Sequence, residues 1–135
     1  MSNLEYKYDA SGPGQAWSDS CHYAQTVVIG DKVQASGQGG WDDKGVSDPS
    51  DLAGQVKLAI ANVDRVLRDE GLRGWENVYC LRSYHVGPMQ GTFDPLCAAL
   101  KERIPNHRPI WTAIGVEKLA EPNMKIELEV EAVRE

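Results

Sequence analysis

The sequence predicts an α+β sandwich, in which two helices cover one face of a mixed β-sheet. Three observations carry that expectation. Met124 to Val133 alternates strictly, with Ile126, Leu128, Val130 and Ala132 facing one way and Lys125, Glu127, Glu129 and Glu131 the other, as a half-buried strand does. Leu52, Val56, Ala59, Ile60, Val63, Val66 and Leu67 recur at helical spacing, so a helix lies on something flat. The remaining extended runs are punctuated by Gly and Pro and give the order ββ-α-β-α-ββ. A length of 135 residues suits one domain over residues 1–135 and excludes a two-domain cleft enzyme.

The elements follow in chain order. Ser11-Gly12-Pro13-Gly14 reads as a turn after a tyrosine-containing start. Thr26 to Ile29 and Val33 to Ser36 are extended runs joined by Gly30-Asp31, which predicts a hairpin. A polar loop around Trp41-Asp42-Asp43-Lys44-Gly45 leads to the first helix, with Asp48 as cap, Pro49 at the first helical position, Asp51 in the first turn and Gly71 at the end. Its opposite face holds Lys57, Asp64, Arg65 and Arg68. Val78 to Val86 is a long strand broken by Gly87-Pro88, and a second helix is expected from about Asp94-Pro95 to Ile104, stopped by Pro105. Ile110 to Val116 and Met124 to Val133 complete the sheet. Two helices cover one sheet face only, so self-association through the other face is a physical expectation.

Apolar residues at 41% and charged residues at 25% are enough for collapse into a core. A net charge of −6 argues against a nucleic-acid-binding domain, which needs a basic footprint. No apolar run is long enough for a membrane helix, and Met1 to Ala10 carries Glu5, Lys7 and Asp9, so no signal peptide is expected. Cys21, Cys80 and Cys97 are odd in number and widely spaced, which points to neither a disulfide framework nor a zinc site and suits a reduced cytoplasmic location.

Several residue groups could carry chemistry. Ser36-Gly37-Gln38-Gly39-Gly40 follows a strand, but the third glycine of a dinucleotide fingerprint is replaced by Asp42 and no helix starts there; close approach of a backbone, to a ligand or a neighbouring chain, is the better reading. Cys21-His22 are adjacent and would not face each other in an extended chain. His22, His85 and His107 lack metal-ligand spacing, so no metal is expected. On the long strand, Arg82 and Tyr84 share a face with Cys80, while Leu81, Ser83 and His85 share the other. An interior-strand arginine must find a partner, and two readings stand: a structural pair with a last-strand glutamate, or an anion anchor. Glu127, Glu129 and Glu131 form a row that is either a solvated face or, if the face is an interface, a place where one desolvated glutamate gains a raised pKa and a proton-transfer role. Trp17, Trp41, Trp75 and Trp111 serve as core or interface filler, with ligand stacking open for Trp41 and Trp111.

Taken together, Tyr23-Ala24-Gln25, Ser36-Gly37-Gln38, Arg108-Pro109-Ile110-Trp111-Thr112-Ala113-Ile114-Gly115-Val116 and Lys125-Ile126-Glu127-Leu128-Glu129-Val130-Glu131-Ala132 resemble the YjgF/RidA family, also called the Rid or L-PSP endoribonuclease-like family. The resemblance runs from about Tyr23 to Val133. It implies a chorismate-mutase-like fold and a homotrimer, with a cleft between each pair of neighbouring subunits. It also implies cofactor-independent hydrolysis of reactive 2-imino acids to 2-keto acids and ammonia. Glu127 matches the glutamate that orients water, and Gly37 and Tyr23 match cleft residues. The family arginine that grips the substrate carboxylate is replaced by Trp111. Indole has one N–H and no charge where guanidinium has a planar fork, and losing two charged hydrogen bonds weakens anchoring on the order of a hundredfold or more.

Two functions follow from the resemblance. One is a RidA-like hydrolase or deaminase of altered specificity, with Glu127 placing water, Arg82 or His85 holding a polar substrate group, and Tyr23, Gly37, Trp111 and Arg108 lining the substrate site. By alternation Arg108 faces away from Trp111, which makes Arg82 the better substitute for the missing arginine. The other is a non-catalytic trimeric small-molecule-binding protein, favoured by the lost arginine. Ribonuclease action, suggested by the family's older name, is disfavoured by the acidic charge.

Overall fold

The computed structural model describes residues 4–9 and 12–135. Ser11 of the expected first turn, and part of the Met1 to Ala10 segment, lie outside the described residues. The elements are β1 (Leu4–Lys7), α1 (Gly14–Cys21), β2 (Thr26–Ile29), β3 (Lys32–Ala35), β4 (Gln38–Gly39), α2 (Leu52–Asp69), a 3-10 turn (Trp75–Asn77), β5 (Val78–Val86), α3 (Met89–Arg103), β6 (Ile110–Val116) and β7 (Ile126–Val133). The strands form one mixed sheet in the order β1-β2-β3-β7-β5-β6, with β4 also paired to β7. This is the expected α+β architecture, extended at its start by β1 and α1. β1 has no buried residue and α1 buries only Gly14, so neither leaves a strong hydrophobic pattern in the sequence.

The last strand is the centre of the sheet. β3 and β4 pair with one edge of β7 and β5 with the other. Ile126, Leu128, Val130 and Ala132 are at most 1% exposed and join Val56, Ala59, Val63 and Leu67 of α2 and Leu96 and Leu100 of α3 in one core. β5 and β6 run parallel, connected across the face by α3, as a parallel pair requires.

α2 begins later than its proline suggests. Asp51, not Asp48, caps it by accepting from Gly54 N at 2.9 Å. Asp48 instead accepts from Ser50 N and Ser50 Oγ and holds a turn before the helix. The helix ends in a Schellman arrangement: Leu72 N donates to Leu67 O, Gly71 N donates to Arg68 O, and Gly71 has φ +84. α3 starts at Met89, ahead of the expected Asp94-Pro95 boundary, and carries Pro95 inside it. Thr92 and Leu96 are buried at 1% and 0%, so tertiary packing holds this stretch helical although Pro95 offers no N–H to Gly91 O.

Asp64 does not sit on a solvated helix face. It is buried and accepts from Arg103 Nε and Nη2, both at 2.9 Å, and from Trp75 N at 3.0 Å. Arg103 also grips Glu76, whose carboxyl is held down to about 2 chiefly by that contact. The cluster ties α2, α3 and the 3-10 turn together. Asp64→Ala leaves Arg103 and Trp75 N short of acceptors, and a loss of about 2–4 kcal/mol is expected. Urea unfolding of the variant against the parent measures it, and a change under about 0.5 kcal/mol, the scale of an ordinary surface substitution, would show the cluster to be dispensable.

Candidate active site

Two short segments, one on each side of the β2–β3 hairpin, are sewn into one patch. Ser36 N donates to Gln25 O at 2.8 Å and Ser36 Oγ to Ala24 O at 2.7 Å. Gln38 Nε2 donates to Gln25 Oε1 at 2.8 Å, and both glutamines are buried. Tyr23-Ala24-Gln25 and Ser36-Gly37-Gln38 therefore act as a unit at the β2 and β3 ends. β4 carries the patch onto β7, placing Gly39 opposite Glu127. Gly37 lies against that glutamate: a Cβ built on it would fall 2.5 Å from Glu127 Cδ and 2.6 Å from Oε2. Gly40 makes a similarly close approach to the Gln55 backbone of α2, so these glycines are set by packing within the chain.

The acidic row on β7 divides. Glu131 accepts from Arg82 Nη2 at 2.8 Å and from Tyr79 Oη at 3.1 Å, and the guanidinium holds its carboxyl below the ordinary value. Glu129 accepts from Tyr84 Oη at 2.6 Å and from Arg82 Nε at 3.2 Å. Arg82 is thus engaged by two carboxylates, and they raise its pKa further. The Glu127 carboxyl makes no hydrogen bond or ion pair among the described residues. It is half-buried, and burial, with the charge of Glu129 second, pushes its carboxyl above the ordinary value. Burial likewise raises the Tyr23 phenol, and the charge of Glu127 is among the smaller contributors.

The helix-covered face holds a second polar chain. Trp111 Nε1 donates to Ser83 Oγ at 2.8 Å, Ser83 Oγ lies 2.7 Å from His85 Nε2, and His85 Nδ1 lies 2.7 Å from Thr92 Oγ1. All are satisfied if the Ser83 hydroxyl donates to Nε2 and Nδ1–H donates to Thr92. His85 is fully buried, and desolvation lowers its pKa, so the neutral ring is favoured. Phe93 stacks on Trp111 with centroids 5.0 Å apart and planes 17° apart.

The expected site residues therefore fall into two groups. Tyr23, Gly37 and Glu127 meet at one patch, with Arg82 on the same sheet face and bound to Glu129 and Glu131. Trp111 packs against the core on the opposite face, with His85 closed in beside it. Arg108 lies before β6 begins, where strand alternation does not apply, and it lines one cavity of about 580 Å³ together with Trp111. A second cavity, of about 330 Å³, is lined by Tyr23, Ser36, Gln34 and Glu129 among others. Ser83, Tyr84, Thr92 and Phe93 complete these networks. Alternation places Ser83 and Tyr84 on the faces they occupy, but nothing in the sequence marks Thr92 and Phe93, which lie between Gly87-Pro88 and the expected helix start at Asp94-Pro95. Cys21 and His22 are both exposed at the end of α1. Among the described residues no three His, Cys, Asp or Glu side chains gather in a way that could hold a metal, and no helix is long and apolar enough to cross a membrane.

Comparison with known proteins bears on this site. The model of the family described as Endoribonuclease L-PSP matches residues 14–134. Among solved structures, the protein YJGH aligns with a TM-score of 0.81 at 25% identity, covering 96% of this chain and 94% of that one. Rv2704 from Mycobacterium tuberculosis, described as a member of the YjgF/YER057c/UK114 family, aligns with a TM-score of 0.78 at 20% identity, covering 97% and 99%. TdcF of E. coli, solved with bound serine, aligns with a TM-score of 0.73 at 23% identity, covering 84% and 88%. No curated protein matches.

The contact between Gly37 and Glu127 is testable by itself. In Gly37→Ala the new methyl displaces the end of a flexible side chain rather than backbone, so the protein is expected to fold with stability changed by no more than about 1 kcal/mol. The displaced Glu127 carboxyl gains water, and its raised pKa falls back toward the ordinary glutamate value. Carbon-13 titration of that carboxyl reads the shift; an unchanged titration would show that Gly37 does not set its environment.

Proposed function

The chain belongs to the Endoribonuclease L-PSP family, and from that premise we propose that it is a hydrolase acting on a small imine, enamine or related reactive metabolite in a cleft between two copies of the chain. The observation that carries this reading is Glu127. It is the member of the acidic row left without a partner among the described residues, it is half-buried, and its proton affinity is raised. That suits a group that takes a proton and gives it back.

In the reaction, Glu127 accepts a proton from water as the water oxygen attacks the C=N carbon. The nitrogen is protonated, the carbinolamine collapses, and ammonia leaves as the carbonyl forms. An enamine substrate enters by first taking a proton at carbon. Tyr23 and Gly37 shape the wall beside the carboxylate. The serine bound by TdcF supports a small molecule of amino-acid size as the kind of occupant.

Trp111 lies on the face of the sheet away from Glu127, so one chain does not bring them together. A homotrimer does so by setting the β6 side of one copy against the open sheet face of the next. Ile110 and Ile114 on β6, exposed at 69% and 36%, suit burial in such an assembly. Free thiols at Cys21, Cys80 and Cys97 fit a reduced cytoplasmic setting. Arg82 contributes to the cleft as the cation that holds Glu129 and Glu131, which leaves Glu127 as the free carboxylate.

One observation favours the binding-only alternative. The Trp111 N–H is taken by Ser83 and a ring face is covered by Phe93, so no anion-gripping group stands in the arginine's place. Ammonia release from imines generated in situ separates the two readings. Glu127→Gln is expected to lower turnover by about 10²–10⁴-fold while the assembly, measured by light scattering, stays unchanged. Because the carboxylate form is the working form, kcat/KM is high above its raised pKa and falls as pH drops through it, with a midpoint above the ordinary glutamate value of about 4.3. Full turnover by the variant would falsify the mechanism.

A further inference from the structure

The N-terminal extension of the fold builds a cavity that hydrolysis at Glu127 does not explain. β1 has no buried residue and α1 buries only Gly14, so their outward side chains are not spent on the core. Between these elements and the Tyr23 segment lies a cavity of about 620 Å³, within the size range of small-molecule sites. Neither Gly37 nor Glu127 lines it. Three tyrosines do: Tyr6 and Tyr8, two residues apart, and Tyr23, just past the left-handed His22 (φ +66) that ends α1. They are 51%, 43% and 36% exposed. The Tyr6 and Tyr8 side chains make no hydrogen bond, ion pair or ring contact among the described residues, so their ring faces are uncommitted. Asp19 of α1 lines the same cavity, and its carboxylate accepts from Gln15 Nε2 at 3.2 Å. Among the described residues no Lys or Arg is on this wall, whose one basic side chain is His22.

We propose that this cavity binds a free quaternary ammonium compound, its methylated nitrogen held against the rings of Tyr6, Tyr8 and Tyr23 and its charge answered by Asp19. An aromatic face attracts a cation through the ring quadrupole, and a carboxylate beside it adds a charge of the right sign. The methyl groups of a quaternary nitrogen present an apolar surface that needs no acceptors. A primary ammonium has three donors to satisfy, and here it meets one carboxylate already shared with Gln15. The site needs no turnover and no proton transfer, so it goes beyond the hydrolase reading. Tyr23 is the one residue common to both, which makes them neighbours.

Calorimetric titration of the full chain with choline tests it. The controls are ethanolamine, which has the charge without the methyl groups, and 3,3-dimethylbutan-1-ol, which has the shape without the charge. Choline is expected to bind with a Kd below about 1 mM, and each control at least about fivefold more weakly. Tyr8→Leu, at an exposed position outside the core, weakens choline at least about fivefold, whereas Tyr8→Phe keeps the ring face and changes it by less than about twofold. Asp19→Asn weakens it at least about threefold. Glu127→Gln leaves choline binding unchanged while ammonia release falls, which separates failure of this site from failure of the hydrolase reading. The proposal is overturned if choline does not bind, if either control binds as tightly, if Tyr8→Leu or Asp19→Asn binds normally, if Tyr8→Phe loses as much as Tyr8→Leu, or if Glu127→Gln loses choline.

Discussion

Three carboxylates stand at alternate positions on one face of the central strand, and their mutual repulsion is the constraint on which the open side of this molecule depends. A strand whose inner face is Ile126, Leu128, Val130 and Ala132 fixes its outer face by period alone. Glu127, Glu129 and Glu131 cannot turn inward without displacing the core. The neighbouring strand therefore has to answer them. β5 does so with Arg82 between two of them and with the hydroxyls of Tyr79 and Tyr84. Two of the three are partnered, and the third is left beside Gly37 with part of its hydration removed. Neutralising Glu127 as well would have made the row purely structural. Leaving it out sets one carboxyl of raised proton affinity at a defined place.

The opposite face is organised by a different rule. There, polar groups are buried and must be paired. Ser83 and His85 occur on a strand whose neighbours point into the core, and they survive because Trp111 and Thr92 finish the chain at its two ends. Trp111 is thereby a structural element as much as a site element. Its N–H completes a buried network, its ring stacks on Phe93, and its position on β6 is locked to Leu81 of β5. The two halves of the site are thus built by separate networks on separate faces of one sheet. A second copy of the chain is the simple way for them to face each other, which fits a sheet with only one face covered from within.

Much of this was legible from residue periodicity. The β7 pattern, the α2 stripe and the alternation on β5 each place side chains on a face, and the faces are as expected. The hairpin of β2 and β3 followed from its turn residues. What escaped was set by contacts that no local pattern encodes. The start of α3 was hidden because Pro95 reads as a helix boundary, whereas Thr92 and Leu96 are held by His85 and the core. Asp64 looked solvated because its partner Arg103 lies 39 residues away. Arg108 precedes β6, so alternation along that strand does not fix its side. The Arg82 question was a choice between partners, and only the register of β5 against β7, with Arg82 opposite Glu129, decides which carboxylates it meets.

Trp111 suits its place on β6 in a way that a charged side chain would not. A guanidinium at that position would need acceptors beside Phe93 and Ser83, and the sheet face around it offers one hydroxyl and aromatic rings. The indole needs only the one acceptor that Ser83 provides, so it fits the buried network where a charge would require further pairing or solvent. Lys101 on α3 and Arg108 ahead of β6 line the same cavity as Trp111, and both are exposed, so water solvates them. A side chain that closes a buried hydrogen-bond chain, as Trp111 does, is not free to bind a charge, so the polar groups of this face are spent on holding the fold.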